Sequence, residues 1–263
     1  MKVGQRFWER AACGEELFLR SHDGLGFAEH ARIRYQIEPY IPKYISYLSG
    51  CKRVLEVGVG MGADHMVLSR QCEYVVGVDV TDRALEITKN RFVECDKTSN
   101  LVRGDCESLP FSNQFFDGYY SWGVLHHSDS LAAGISELRR VLKDGGKFVV
   151  MIYNSRSLVA GFLWVAFGLW RGWSVQKTCS EYLESPGTLV VSKKNAKKLF
   201  AWASELTIST ELSSGDLLDH SSGARYLDRL PWIRSMIPRS FIRRRCRTFG
   251  LFLVISGTKG SSE

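Results

Sequence analysis

"VLEVGVGMGAD", residues 54–64, is an apolar run that breaks into three glycines at every second position, Gly58, Gly60 and Gly62, with Glu56 ahead of them. Apolar residues that do not alternate with polar ones suit a strand buried on both faces of a parallel sheet. Glycines leaving such a strand give a turn that reaches backbone conformations closed to other residues and lets a ligand approach the main chain. The next residues, "ADHMVLSRQ", read as a helix, whose opening N–H groups favour an anionic or electron-rich group. In open parallel sheets, ligands bind at the carboxyl ends of strands where strand order reverses, and an acid about twenty residues after the glycines holds a ribose. Asp79, at the end of the apolar run "YVVGVDV", stands at that place. Glycines and acid together point to a nucleoside ligand.

Outward from this stretch the chain alternates strands and helices. "TDRALEITKNRF" from Thr81 sets Leu85, Thr88 and Phe92 at helical spacing, "NLVRGD" is a short strand, and "FFDGYYSW" is apolar enough for a buried one. "DSLAAGISELRRVLKDGG" reads as a helix capped by Ser128 or Asp129, with Leu131, Ile135, Leu138 and Leu142 inward and Gly145 just past its end. "KFVVMIY", "LTISTEL" and "LFLVISGTK" complete the set of strands. The fold class expected is α/β: a Rossmann-like, doubly wound, seven-stranded, mostly parallel sheet with an antiparallel last strand and a helical cap.

Composition is that of a globular chain: 44% of the 263 residues are hydrophobic and 24% charged, which excludes wholesale disorder. A net charge of +7 points to an anionic partner or surface without separating nucleic acid from lipid head groups. Seven scattered cysteines with no C-x-x-C pair suit free thiols in a reducing compartment, not a disulfide framework or zinc site. "MKVGQRFWERAACGEE" has no apolar signal region, so a cytoplasmic location is expected.

The dinucleotide fingerprint is G-x-G-x-x-G, whereas this chain has E-x-G-x-G-x-G. Over roughly residues 50 to 155 it resembles the class I S-adenosylmethionine-dependent methyltransferases, in particular the small-molecule branch of the ubiquinone and menaquinone enzymes. The resemblance implies S-adenosyl-L-methionine as cofactor. It implies that Glu56, Gly58, Gly60 and Gly62 line its methionine part, that Asp79 holds the ribose, and that Val80 lies against the adenine. "GDCESLPF" matches a further motif, in which Asp105 would reach the adenine amino group and Cys106 would pack on the ring or offer its backbone N–H. "FFDGYYSWGVLHH" matches the segment after the fourth strand, with Ser121 and Trp122 beneath the cofactor, and "ELRRVLKDGGKFVVM" matches the helix, turn and strand that follow.

Methyl transfer is an in-line displacement, and holding nucleophile, methyl and sulfur in line supplies much of the acceleration. A hydroxyl or carbon-acid nucleophile also needs a base. His126 and His127 are the catalytic candidates, since imidazole titrates near working pH; the competing reading is that they cap the following helix and pack beside the cofactor. No [DN]-P-P-[FY] pattern, Pro-Cys pair or H-x-x-x-H points to nucleic-acid amine, pyrimidine-carbon or metal chemistry, so no metal is expected.

Substrate choice is expected outside the shared core. Residues 1–50 form an N-terminal helical lid with Trp8, Arg34 and Tyr35 as substrate candidates, and residues 51–263 form the methyltransferase domain, with cap insertions at about 153–198 and 212–250. The apolar stretch Leu158–Trp170 is shorter than the roughly 20 residues that span a bilayer and reads as a buried or interfacial helix. "PWIRSMIPRSFIRRRCR" mixes apolar residues with arginines, as segments on anionic membranes do. The expected function is oxygen or carbon methylation of a small molecule, with a lipophilic or lipid-linked acceptor and peripheral contact with an anionic membrane as extensions. The alternatives are a methyltransferase acting on RNA or protein, although no basic groove interleaved with aromatics is evident, and a non-catalytic scaffold that binds the cofactor.

Overall fold

The computed structural model describes residues 3–183, 185–217, 240, 242, 244 and 246–261. Four helices precede the sheet: α1 (Val3–Arg10), α2 (Glu15–Phe18), α3 (Gly24–Ile37) and α4 (Ile41–Ser46). The core then runs β1 (Arg53–Val57), α5 (Ala63–Gln71), β2 (Tyr74–Asp79), α6 (Asp82–Val93), β3 (Asn100–Arg103), β4 (Phe116–Trp122), α7 (Leu131–Val141) and β5 (Leu142–Tyr153). Helices α8 (Leu158–Leu163), α9 (Val175–Tyr182) and α10 (Lys193–Leu199) follow, then β6 (Ala203–Glu211) and β7 (Phe252–Lys259).

The seven strands form one sheet in the order β3-β2-β1-β4-β5-β7-β6. Strand β7 runs antiparallel to both its neighbours, and the other pairings are parallel. The expected fold class is borne out. Successive residues of a strand face opposite sides, and here both sides are apolar. Val54, Val75, Tyr120 and Val149 share one core with α4, while Leu55, Val76, Tyr119 and Phe148 share the other with α7 and α10. Burial on both faces is why the strands read as continuous apolar runs. The chain winds from β1 outward to β3, then returns to start β4 on the other side of β1. The carboxyl ends of β1 and β4 therefore flank the point where the winding reverses.

Three elements differ from the sequence expectation. Helix α7 is capped by Ser130, whose hydroxyl accepts from Ala133 N at 3.2 Å, and not by Ser128 or Asp129. It ends at Val141, so Leu142 already pairs with Phe116 in the sheet, and Gly145 (φ 75°) serves an excursion inside β5. The apolar helix expected over Leu158–Trp170 forms as one helical run, Leu158–Arg171, but its hydrogen bonding changes from α8 to a π turn at Trp164–Gly168 and a 3-10 turn at Leu169–Arg171. The run packs closely on α9, since a Cβ on Gly168 would stand 2.1 Å from Thr178 Oγ1. This pair of helices is bent by 108°, and among the described residues no single helix is long and apolar enough to cross a membrane. Most of the basic segment 231–247 lies outside the described residues.

Candidate cofactor and acceptor site

The turn from β1 to α5 is built on positive backbone angles at Gly58 (82°), Gly60 (52°) and Gly62 (72°). Gly58 N donates to Val78 O at 2.7 Å, which ties the turn to β2, and Arg91 Nε donates to Met61 O at 2.6 Å. The glycines are not equivalent. A Cβ on Gly58 would meet Val124 Cγ2 at 2.0 Å and one on Gly62 would meet Thr88 at 2.8 Å, whereas one on Gly60 would meet nothing within 4 Å. Gly58 and Gly62 are needed for packing; Gly60 leaves space open above the main chain.

That space belongs to a cavity of about 840 Å³ at the carboxyl ends of the strands, within the size range of small-molecule sites. Glu56, Gly58, Gly60, Asp79, Val80, Asp105, Cys106, Trp122 and His127 all line it, as do Trp8 and Arg34 from the N-terminal helices. Gly62, Ser121, Tyr35 and His126 do not line it.

Asp79 is held on the wall by Thr81, whose N and Oγ1 donate to Oδ1 at 3.0 and 2.8 Å, and by Gly60 N, which donates to Oδ2 at 3.2 Å. Burial raises its carboxyl above the usual range, against the opposing effect of these donors. A carboxylate has about four lone-pair sites, so Asp79 keeps acceptor capacity for ligand hydroxyls. Beneath the turn, His65 Nδ1 lies 2.7 Å from Glu56 Oε2. Burial lifts the Glu56 carboxyl to about 6, against that hydrogen bond. The residues present fit a nucleoside with a small zwitterionic tail: an open backbone cradle at Gly60 and a fixed carboxylate at the end of β2.

Asp64, in the first turn of α5, organises the N-terminal helices around the site. Arg34 Nε and Nη2 donate to its two oxygens at 2.9 and 2.6 Å, and the hydroxyls of Tyr35 and Tyr120 add bonds at 3.1 and 2.9 Å. Burial pushes the Asp64 carboxyl up, but the Arg34 charge and these donors outweigh it and hold it below the ordinary value. Tyr35 is thus turned to Asp64 and away from the cavity. Trp122 Nε1 donates to Glu38 Oε2 at 2.8 Å, fixing a further carboxylate on the wall, and Gln5 Nε2 of α1 donates to Val80 O at 2.9 Å.

The two histidines part company. His126 is fully buried, has no partner for either ring nitrogen, and packs 3.9 Å from the Tyr153 ring; burial, and secondarily His127, depress its pKa far below the ordinary imidazole value. His127 stands on the cavity wall, with Nδ1 2.8 Å from Ser185 Oγ and its ring edge-on to Trp8 at 5.2 Å. Sequence reading passes over Asp64, Glu38, Gln5 and Asp216. Asp64 stands within the opening stretch itself, but its partners come from 30 and 56 residues away.

Comparison with known proteins agrees with this geometry. Residues 55–150 match the family model described as a methyltransferase domain. A demethylmenaquinone methyltransferase of Tropheryma whipplei is 34% identical over 116 residues, a match covering 42% of this chain and 46% of the relative. The match therefore spans about half the length of that curated relative. A solved S-adenosylmethionine-dependent methyltransferase of Thermotoga maritima, described as a possible histamine N-methyltransferase, shares the fold with a TM-score of 0.61 at 20% identity, covering 97% of this chain and 99% of that one. Geranyl diphosphate C-methyltransferase of Streptomyces coelicolor shares it with a TM-score of 0.60 at 16% identity, covering 97% and 96%. Over residues 55–150 the chain is thus similar to a methyltransferase domain, and its fold is that of solved S-adenosylmethionine-dependent methyltransferases.

Proposed function

We propose that the chain transfers a methyl group from S-adenosyl-L-methionine to an oxygen or carbon of a lipophilic small molecule. The observation that carries this reading is the continuity of one cavity, which runs from the Gly60 cradle and Asp79 to an apolar wall that includes Leu158, Val159, Phe162, Leu163 and Phe252. The cofactor supplies an electrophilic methyl on a cationic sulfur. Asp79 accepts the ribose hydroxyls, and the amides of the glycine turn meet the methionine carboxylate. Val80 and Cys106 bracket the adenine, and Asp105 accepts from its amino group. Glu56 orders the ammonium, whose charge returns the carboxyl to its ionised form. Gly62 and Ser121 act through the backbone beneath the cofactor and not as wall groups.

Residues 1–50 act as a lid, with Gln5, Trp8 and Arg34 on the cavity wall, and the insertion at about 153–198 forms the acceptor side. Tyr35 supports the lid through Asp64. The exposure of His127 to the cavity favours it over His126 as the histidine nearest the acceptor, and His126 is a packing group. A lipophilic acceptor draws support from relatives named for demethylmenaquinone and geranyl diphosphate. It also draws support from the apolar tip beyond α8, where Trp170 is 86% exposed beside exposed Val165 and Leu169. That tip suits peripheral contact with a lipid surface.

The test is transfer of labelled methyl from S-adenosylmethionine to total cell extract. Label in an organic-extractable small molecule is the expected result, and Trp170→Glu should slow transfer to acceptors held in anionic vesicles more than to the same acceptors in detergent. Label confined to RNA or protein would overturn the proposal.

A further inference from the structure

After β6 the sequence Ser213-Ser214-Gly215-Asp216 forms a reciprocal cap. Ser213 N and Oγ both donate to Asp216 Oδ2 at 2.9 Å, and Asp216 N donates to Ser213 Oγ at 3.1 Å. Leu251 N adds a bond to the same Oδ2 at 2.7 Å. One carboxylate oxygen therefore carries three protein donors and serves the fold. The other oxygen, Oδ1, makes no hydrogen bond of normal geometry, although Asp216 is only 2% exposed; the backbone N–H of Val159 faces the carboxylate without closing such a bond. A buried carboxylate oxygen without a donor is costly, and native structures keep few such groups. Among the described residues, buried side-chain atoms without a partner occur on Glu9, Tyr119, Ser121, His126 and Asp216, and Asp216 alone of these lines the cavity.

Beyond the cap at 213–215, the wall around it is apolar. Val159, Leu251 and Phe252 line the cavity with it, and the Phe252 ring stacks on Tyr153 at 5.9 Å and 11°. The nearby Tyr40 hydroxyl does not supply the missing donor, because it is committed to Leu212 O at 3.2 Å. An apolar ligand bearing a hydroxyl would bury its hydrocarbon on this wall and complete the carboxylate. An ammonium suits the place less well, since its three donors need three acceptors and Asp216 has one oxygen to spare.

We infer that Asp216 is an acceptor-binding residue whose free Oδ1 takes a hydrogen bond from a hydroxyl group, so that the methyl acceptor is a hydroxylated apolar compound. This rests on the methyl-transfer reading above and narrows its substrate class. The test uses the full chain loaded with S-adenosylhomocysteine, with 1-naphthol as probe and 1-methoxynaphthalene as its donor-less counterpart. The wild type should bind the naphthol at least ~10-fold more tightly, as a hydrogen bond to a charged group would give. In Asp216→Asn the amide oxygen can accept the three structural donors while NH2 replaces Oδ1. This variant should keep its S-adenosylhomocysteine affinity and melt no lower than the wild type but lose the preference. No naphthol preference in the wild type, the same preference in Asp216→Asn, or tighter binding of 1-naphthylmethylammonium than of 1-naphthol would each overturn the inference. Failure of S-adenosylhomocysteine to load would instead remove the methyl-transfer reading, and the inference with it.

Discussion

At the scale of single residues, the site is a set of carboxylates given different tasks by their surroundings. Asp64 is held ionised by Arg34, whereas burial lifts Glu56 and Asp216 to about 6. For Asp216 the ordinary value is 3.8. A carboxyl raised in the folded state contributes stability that is fully present below the unfolded value and is lost as pH rises through the folded one. Between pH 4 and 7 the wild type should therefore lose about 3 kcal/mol relative to Asp216→Asn, from roughly two pKa units at 1.36 kcal/mol each. Urea unfolding of both proteins across this range checks it, and parallel pH curves would show that Asp216 titrates normally. The residues legible in the sequence were those fixed by local order along the chain. Glu56, Gly58, Gly60, Asp79 and Val80 fall at the ends of two neighbouring parallel strands, so strand position alone brings them to one wall. Asp216 was not legible, because S-x-x-D reads as a cap and only the fold shows that one of its oxygens is left without a donor. Tyr35 and Arg34 were legible as a pair near the site, but their shared partner Asp64 depends on the docking of α3 on α5.

At the scale of elements, the glycine turn has separable structural and ligand-facing parts. Gly60→Ala meets no neighbour, so its cost should be the left-handed strain of about 1–2 kcal/mol. Gly58→Ala carries the same strain and also drives a methyl into Val124, which adds about 1–3 kcal/mol of overpacking. Thermal melts of the two variants should rank Gly58→Ala well below Gly60→Ala; equal melting temperatures would contradict the packing role of Gly58. Strands were easy to read because both of their faces are buried, and a run of apolar residues has few other uses. Helix ends and breaks were harder. The end of α7 is set by Leu142 joining Phe116 in the sheet, and the run Leu158–Arg171 folds back on α9 with Gly168 close to Thr178. Both are contacts between distant segments that leave no periodic trace in the sequence.

At the scale of the whole molecule, a sheet whose winding reverses beside β1 opens one cavity, and the N-terminal helices and the α8–α9 insertion both reach it. The end proposed for the methyl donor could be read from short motifs, the glycine turn and Asp79 foremost. The end proposed for the acceptor is assembled from Val159, Asp216, Leu251 and Phe252, segments nearly a hundred residues apart, and required the fold. The central claim is that this cavity binds S-adenosylmethionine through the glycine turn and Asp79. Titration calorimetry of the full chain tests it most directly. One molecule of S-adenosylmethionine should bind per chain, and Asp79→Ala should weaken binding at least ~10-fold through loss of hydrogen bonds to a charged group. Folded wild-type protein that gives no binding heat across several temperatures, or an Asp79→Ala variant that binds as well as the wild type, would contradict it.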